Sequence, residues 1–169
     1  MAGSAAADGS SGYAGDTIDH HQKGRSMSVK IEHVEWPDRP DVMMPYSPAI
    51  KVTGGSLLFF AGVTAAPVYH SHPHIPAEFD DIPPDMATQA RMTMENLKKS
   101  VEAAGGTLQN VVHCKRFLTN LDLQDDLNKV WNEYMGAYKP TSTTVQVQRL
   151  ATDPRCLVEI DAIAVVDDR

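Results

Sequence analysis

Two carboxylates near the end of the chain, Glu159 and Asp161, have a spacing that suits acid–base chemistry. They lie two residues apart in an apolar, strand-like segment, so both side chains should point to one face of the strand. A pair of carboxyl groups on a packed strand can hold separated pKa values, which lets one of them act as acid or base. The same pattern also suits a solvated or salt-bridged edge, and the spacing does not decide between the two interpretations.

Three histidines, His70, His72 and His74, alternate with other residues in a proline-rich segment. In an extended segment all three would project to one side, as zinc ligands can. Pro73 constrains the geometry and no cysteine or fourth histidine follows at ligand spacing, so we predict no metal ligand set here. The segment remains open to two further interpretations, a polar surface loop and a lid over a binding cleft.

The composition of the chain limits the classes of partner that it can bind. The 169 residues carry 15 Lys and Arg against 22 Asp and Glu, which gives a formal net charge of −7. Phosphate backbones and anionic membrane surfaces are bound by clustered basic residues, so we predict neither nucleic acid nor a membrane as partner. Two cysteines, Cys114 and Cys156, do not make a disulfide framework in a chain this long, and we predict a cytoplasmic protein.

Hydrophobic periodicity predicts the elements that must position these groups. Residues 1–28 show none and are rich in Ala, Gly and Ser, which predicts a disordered tail or a remnant of cloning, followed by a single domain over 29–169. Asp85 should cap a first helix that runs to Ala104, and Asp122 a second that runs to Met135. The predicted strands are Val29–Trp36, Ala49–Thr53, Ser56–Thr64, Asn110–Leu118, Thr143–Leu150 and Cys156–Val166.

Two further predictions concern the third strand, namely the turn before it and its position in the sheet. Gly54-Gly55 before it is typical of a two-residue hairpin, and Ser56–Thr64 is apolar on both faces, which indicates a central strand. Because helices fall between strands, some neighbouring strands should be parallel. Two helices can cover only one face of such a sheet, so a partner subunit is the simplest cover for the other face.

Several segments, in the same order, resemble the Rid family, also called YjgF/YER057c/UK114, of enamine and imine deaminases. The resemblance covers about residues 43–166 and implies an α+β, chorismate-mutase-like fold of the bacillus type, with a mixed sheet of about six strands and two helices on one face. It also implies a homotrimer with clefts between neighbouring subunits, a small-molecule substrate and no cofactor. The segments are Gln89–Leu97, Ala103-Ala104-Gly105, Val111-Val112, Phe117-Leu118, Thr143–Val147 and Val158–Ala164.

The resemblance also implies roles for individual residues. Glu159 would be the catalytic residue that positions a water for attack on the imine carbon. The substrate-binding positions would be Tyr46, Gly62, Asn128, Ser142 and Thr144.

The chain departs from the family where the substrate carboxylate is bound. The family pattern Pro-x-Arg-(Ser/Thr)-x-Val reads Pro140-Thr141-Ser142-Thr143-Thr144-Val145, so Ser142 stands at the arginine position and Thr144 at that of a common cysteine. A guanidinium binds a carboxylate through two parallel charge-assisted hydrogen bonds, whereas serine offers one neutral donor. Arg116, Lys115 or Arg149 could replace that arginine from another strand, or each could pair with a surface acid.

Two functions therefore remain. The first is a small-molecule enzyme that hydrolyses an enamine or imine, or carries out a related reaction, in clefts between subunits. The second is a non-catalytic metabolite-binding protein on the same trimeric scaffold. The acidic charge argues against the ribonuclease activity attributed to some family members.

Overall fold

Six strands and two α-helices follow one another along the chain, as the periodicity predicts. The computed structural model describes residues 28–38, 45–68 and 71–168, so His70 and all of the predicted tail except Ser28 lie outside the described residues. The elements are β1 (Lys30–Val34), β2 (Ala49–Thr53), β3 (Ser56–Val63), α1 (Met86–Ala103), β4 (Val111–Leu118), α2 (Gln124–Met135), β5 (Thr141–Gln146) and β6 (Val158–Val166).

The strands hydrogen-bond as a two-stranded sheet, β1-β2, and a four-stranded mixed sheet in the order β3-β6-β4-β5. β6 runs antiparallel to both of its neighbours, and β4 runs parallel to β5. The parallel pair is joined by α2, since a parallel connection needs a crossover of a dozen or more residues. The predicted α+β class and the predicted parallel neighbours are both confirmed.

Both predictions about the third strand are wrong. β2 pairs with β1 whereas β3 pairs with β6, so the turn at Gly54-Gly55 carries the chain from one sheet to the other instead of closing a hairpin. β3 is also an edge strand of the four-stranded sheet. It reads as apolar on both faces because Leu58 and Phe60 pack against the helices while Leu57 and Phe59 lie on the uncovered face, 60% and 75% exposed.

Both helices pack on the same face of the four-stranded sheet, where they form the main core with β4 and β6. Asp85 caps α1 as predicted, because its side chain accepts a hydrogen bond of 2.8 Å from the backbone N of Thr88. The predicted Asp122 cap of α2 is wrong. Asn120 accepts from the backbone N of Asp122 instead, and a short 3₁₀ turn, Leu121–Leu123, leads into the helix. Core residues include Met94, Leu97, Val101, Leu127, Val130, Trp131, Val158, Ile160, Ala162 and Ala164.

Gln89 fastens α1 to the segment that leads into β6. Its fully buried side chain donates from Nε2 to the carbonyl oxygens of Pro83 and Arg155, at 2.7 and 2.8 Å. Its Oε1 accepts from the backbone N of Leu157 at 2.8 Å. The amide therefore satisfies three buried backbone groups at the point where the chain enters β6.

The other face of the four-stranded sheet has no helix against it within the described ranges. Leu57, Phe59 and Val145 lie exposed there, as the prediction of a covering partner requires, and the oligomeric state stays a prediction. A search of those same ranges finds no helix with the length and apolar character needed to cross a bilayer.

Candidate active site

β6 presents its two carboxylates on the uncovered face of the sheet. Val158, Ile160 and Ala162 point to the helices and are buried in the core, so the alternating Glu159 and Asp161 point the other way. The predicted common face of the two carboxylates is therefore confirmed.

The Glu159 carboxylate lies directly against the backbone of Gly62. A methyl group on Gly62 would meet Glu159 Oε1 closer than any real contact between these atoms. The approach occurs where the register between β3 and β6 shifts, between Phe60 and Val63. Burial, together with the charge of Asp161, raises the pKa of Glu159 above its usual range.

Asp161 differs from Glu159 because Lys115 contacts both oxygens of its carboxylate. The backbone N of Lys115 donates to Asp161 Oδ1 at 3.1 Å, and Lys115 Nζ lies 3.8 Å from Oδ2. No described residue donates a hydrogen bond to the Glu159 carboxylate, which leaves its oxygens available to a water molecule. The pair therefore separates into a charge-balanced Asp161 and a partly desolvated Glu159.

Gly62 also forms one wall of a cavity of about 500 Å³ between the end of β3 and α1. Asn96 fixes this end of β3, because its Nδ2 donates to the carbonyl oxygen of Thr64 at 2.9 Å. Lys99 contributes the cation among the lining side chains. This volume lies within the range of small-molecule sites in proteins.

A second cluster lies on the helix side of the sheet, around Arg116 of β4. Arg116 Nε donates to Thr144 Oγ1 and Nη1 donates to Asn128 Oδ1, both at 2.9 Å. The guanidinium carbon stands 5.4 Å from the centroid of the Trp131 ring, which supports it from α2. Ser142 points to the same side, because β4 and β5 are parallel and Cys114 pairs with Ser142 as Arg116 pairs with Thr144.

Tyr46 lies exposed beside the start of β5. The next residue, Ser47, donates from its backbone N to the carbonyl oxygen of Pro140 at 3.4 Å and from Oγ to that of Lys139 at 2.7 Å. These bonds fix the tyrosine close to the connection between α2 and β5 and leave its side chain 38% exposed.

Apart from Tyr46, the implied site residues lie in two groups. Glu159 and Gly62 meet on the uncovered face, whereas Asn128, Ser142 and Thr144 lie on the helix side. The sheet separates the two groups within one chain, so a single copy does not assemble the whole set. Sequence reasoning missed Trp131 as a neighbour of Arg116, because its place in the apolar stripe of α2 indicated only a core residue.

His74 and Cys114 have ordinary structural surroundings. His74 Nδ1 lies 2.8 Å from the carbonyl oxygen of Thr152, and the described residues hold no cluster of three or more potential metal ligands. Burial raises the pKa of Cys114 to about 12, so this thiol is not a nucleophile at neutral pH.

Comparison with known proteins identifies the family of the chain. The family described as Endoribonuclease L-PSP matches residues 37–166. The chain belongs to the Rid (YjgF/YER057c/UK114) family. Protein DfrA of Myxococcus xanthus is 36% identical over 141 residues, which cover 83% of this chain and 98% of DfrA. Escherichia coli TdcF, provisionally named a reactive intermediate deaminase, is 32% identical over 135 residues, which cover 78% of this chain and 95% of TdcF.

Solved Rid structures share the fold. The crystal structure of E. coli TdcF with bound serine matches with a TM-score of 0.54 at 31% identity, and covers 79% of this chain and 98% of that one. Rv2704 of Mycobacterium tuberculosis, a member of the YjgF/YER057c/UK114 family, matches with a TM-score of 0.53 at 25% identity. The match covers 81% of this chain and 100% of Rv2704. The fold of this Rid protein is therefore the chorismate-mutase-like one that the resemblance implies.

Proposed function

We propose that this Rid protein hydrolyses the C=N bond of an imine, or of an enamine through its imine form. Water adds to the carbon through its oxygen while Glu159 accepts one of the water protons. The same carboxyl passes this proton to the nitrogen, which gives an adduct with one hydroxyl and one amino group on the carbon. The hydroxyl proton then moves to the nitrogen, again through Glu159, as the C–N bond breaks, the carbonyl forms and ammonia leaves. One imine and one water give one carbonyl compound and one ammonia, so the reaction needs no oxidant or cofactor.

The observation that carries this proposal is the position of Glu159 against Gly62. A partly desolvated carboxylate with a raised pKa is a stronger base than an ordinary glutamate, and it lies at an open face where water and substrate can reach it. Because Gly62 has no side chain, the carboxylate can lie directly against its backbone, next to the cavity that the glycine lines.

We further propose that the complete site forms between subunits of a homotrimer. One copy would contribute Glu159 and Gly62 and a neighbour Asn128, Ser142 and Thr144, with Tyr46 lining the pocket. The separation of the two groups by the sheet and the exposed apolar side chains on the uncovered face support this arrangement. TdcF supports a small-molecule ligand, since its structure contains serine, and the two free cysteines suit a cytoplasmic location.

A second candidate function is metabolite binding without turnover. Ser142 favours it, because the position that resembles the carboxylate-binding arginine of the deaminases holds a neutral side chain. The endoribonuclease named in the family description receives no such support, because a chain with a net charge of −7 repels a phosphate backbone.

The decisive experiment measures ammonia release from 2-aminoacrylate generated in situ, above the spontaneous rate. Glu159→Gln should lower this rate by about 100-fold or more, because an amide does not accept the water proton at neutral pH. Glu102→Gln, the same change at an exposed position of α1, should leave it unaltered. A wild-type protein that binds small carboxylates but never exceeds the spontaneous rate, with this and other imines, would favour the non-catalytic function.

A further inference from the structure

The cavity beside Gly62 contains one charged side chain among the residues that line it, that of Lys99 in α1. The remaining lining residues are apolar or neutral, and none of them is an acid. They are Val63, Thr64, Ala66, Pro67, Val68, Asn96, Ser100 and Thr152. The cavity therefore carries a positive charge, although the whole chain has a formal net charge of −7. A cation in a concave wall that is partly apolar favours an organic ligand with a negative group.

The other charged side chains of α1 each have a polar partner, whereas no salt bridge or hydrogen bond joins Lys99 to a described residue. The pairs are Arg91 with Glu133, Lys98 with Glu102, and Glu95 with the hydroxyl of Tyr134. Glu95 and Glu102 are the acids one helical turn from Lys99, and both already have a partner. The ammonium group of Lys99 is therefore available to a ligand in the cavity.

Hydrogen bonds between α1 and the end of β3 fix the wall on which Lys99 stands. Asn96 Nδ2 donates to the carbonyl oxygen of Thr64, and Ser100 Oγ donates to the carbonyl oxygen of Asn96, both at 2.9 Å. Lys99 and Asn96 also line a smaller cavity of about 270 Å³, which shares Ala66 with the first one. Lys99 therefore lies where the two cavities adjoin, on a turn of α1 whose position relative to β3 is fixed.

Gly62 connects the larger cavity with the proposed base. Its backbone lines the cavity, and Glu159 Oε1 lies against the same glycine where a side chain would begin. β3 is the edge strand of the four-stranded sheet, so no strand of that sheet covers the outer side of Gly62. Glu159 does not itself line the cavity. A substrate whose reacting carbon lies at Glu159 can therefore extend into the cavity only with its far end, and that end meets Lys99.

We propose that Lys99 binds an anionic group at the far end of the substrate, several bonds from the carbon that water attacks. The protein then prefers imines with an acidic side chain over imines with a neutral one. The inference rests on the proposed function, because the substrate is that of the same site. A carboxylate fits this end of the cavity better than a phosphate dianion, since the lining holds one cation and a second negative charge would stay unbalanced.

The test compares 2-oxoglutarate with its 5-methyl ester, in which the distal carboxylate has lost its charge, by calorimetric or NMR titration of the full chain. Wild type should bind 2-oxoglutarate about 10-fold more tightly than the ester. Lys99→Met should remove this preference and leave binding of the ester unchanged. Lys98→Met is the matched control, because it removes an equal charge from the next residue, which pairs with Glu102 and lines a different cavity. This variant should retain the preference.

Two further variants separate the charge of Lys99 from its size. Lys99 is exposed, so its substitutions should leave the fold intact. Lys99→Arg keeps a cation in the cavity and should keep the preference, whereas Lys99→Glu should reverse it through repulsion of the distal carboxylate. Three results would overturn the inference. They are a wild type that does not distinguish 2-oxoglutarate from the ester, a Lys99→Met variant that keeps the preference, and an equal loss of preference in Lys98→Met, which would indicate a general effect of net charge.

Kinetics separate this inference from the proposed function. The imines of glutamate and of its 5-methyl ester are generated in situ by an amino acid oxidase, and their hydrolysis is followed. Lys99→Met should raise KM about 10-fold for the acidic imine with little change in kcat, because a group far from the reacting carbon is held alike in ground and transition states. Glu159→Gln should abolish turnover of both imines and keep the binding preference for 2-oxoglutarate.

The two proposals can therefore fail separately. A wild type without turnover that still prefers 2-oxoglutarate over the ester would contradict the proposed reaction alone. Turnover of both imines with equal KM values, unchanged in Lys99→Met, would contradict the role of Lys99 alone.

Discussion

Neighbouring groups set the chemistry of Glu159 more than the glutamate itself does. Burial is the larger cause of the raised pKa of Glu159, and the negative charge of Asp161 is the smaller one. Asp161 lies on the same face of β6 and forms an ion pair with Lys115. The common face follows from the two-residue spacing and is predictable from the sequence. The contact between Lys115 and Asp161 cannot be predicted from the sequence, because it depends on which strand lies beside β6.

The pH dependence of activity should report this coupling. A base must be deprotonated to act, so the acidic limb of kcat/KM should lie at higher pH than an ordinary glutamate gives, and activity should be lost as the pH falls through it. Asp161→Asn removes a negative neighbour, lowers the pKa of Glu159 and should move the limb to lower pH. Asp126→Asn, on the exposed side of α2, should leave the limb in place. An unchanged limb in Asp161→Asn would assign the pKa to another group.

At the scale of elements, the site depends on how β6 enters the sheet. Gln89 holds the segment before β6 with three hydrogen bonds from α1, and the register shift in β3 brings Gly62 under Glu159. The sequence places Gln89 on a helix, but it does not show that backbone groups 66 and 68 residues later need this amide.

Removing the amide should destabilise the fold. Gln89→Met keeps the length of the side chain but leaves two carbonyl oxygens and one N–H without their partner, which should cost about 2–4 kcal/mol of unfolding free energy. Urea denaturation measures the loss. Gln109→Met, the same change at an exposed position, should change the midpoint little. Equal midpoints for the two variants would show that water replaces the lost bonds.

At the scale of the whole molecule, the main feature is the sheet face that no helix covers within the described residues. Phe59 and Leu57 on the edge strand expose apolar area beside the two carboxylates of β6. Exposed apolar patches of this kind mark interfaces between proteins. The same face carries Glu159, so assembly and activity should depend on each other.

Light scattering should give about three times the chain mass of 18.5 kDa. Phe59→Lys places a charge in the proposed interface, so it should shift the mass toward that of the single chain and lower the deaminase rate with it. Ile75→Lys changes an exposed apolar residue away from the sheet, and its mass should stay that of wild type. A stable wild-type monomer at micromolar concentration would contradict the trimer.

The sequence by itself determined the helices, the strands and the family. These follow from local information, because side chains repeat every 3.6 residues in a helix and every two in a strand, and because the Asp85 cap lies next to its helix. The family segments likewise run continuously along the chain, and they carry Glu159 with them.

The tertiary structure alone decided strand pairing and the contacts across it. Nothing local shows that β3 is an edge, that β2 turns away from it, or that Arg116 reaches Thr144, 28 residues along the chain. Backbone hydrogen bonds between strands are alike for every partner, so pairing is set by which faces the helices can bury together. That choice places Arg116 against α2 beside Asn128 and turns Glu159 to the opposite face. From the sequence alone, Arg116 and Glu159 are only two polar residues on two strands.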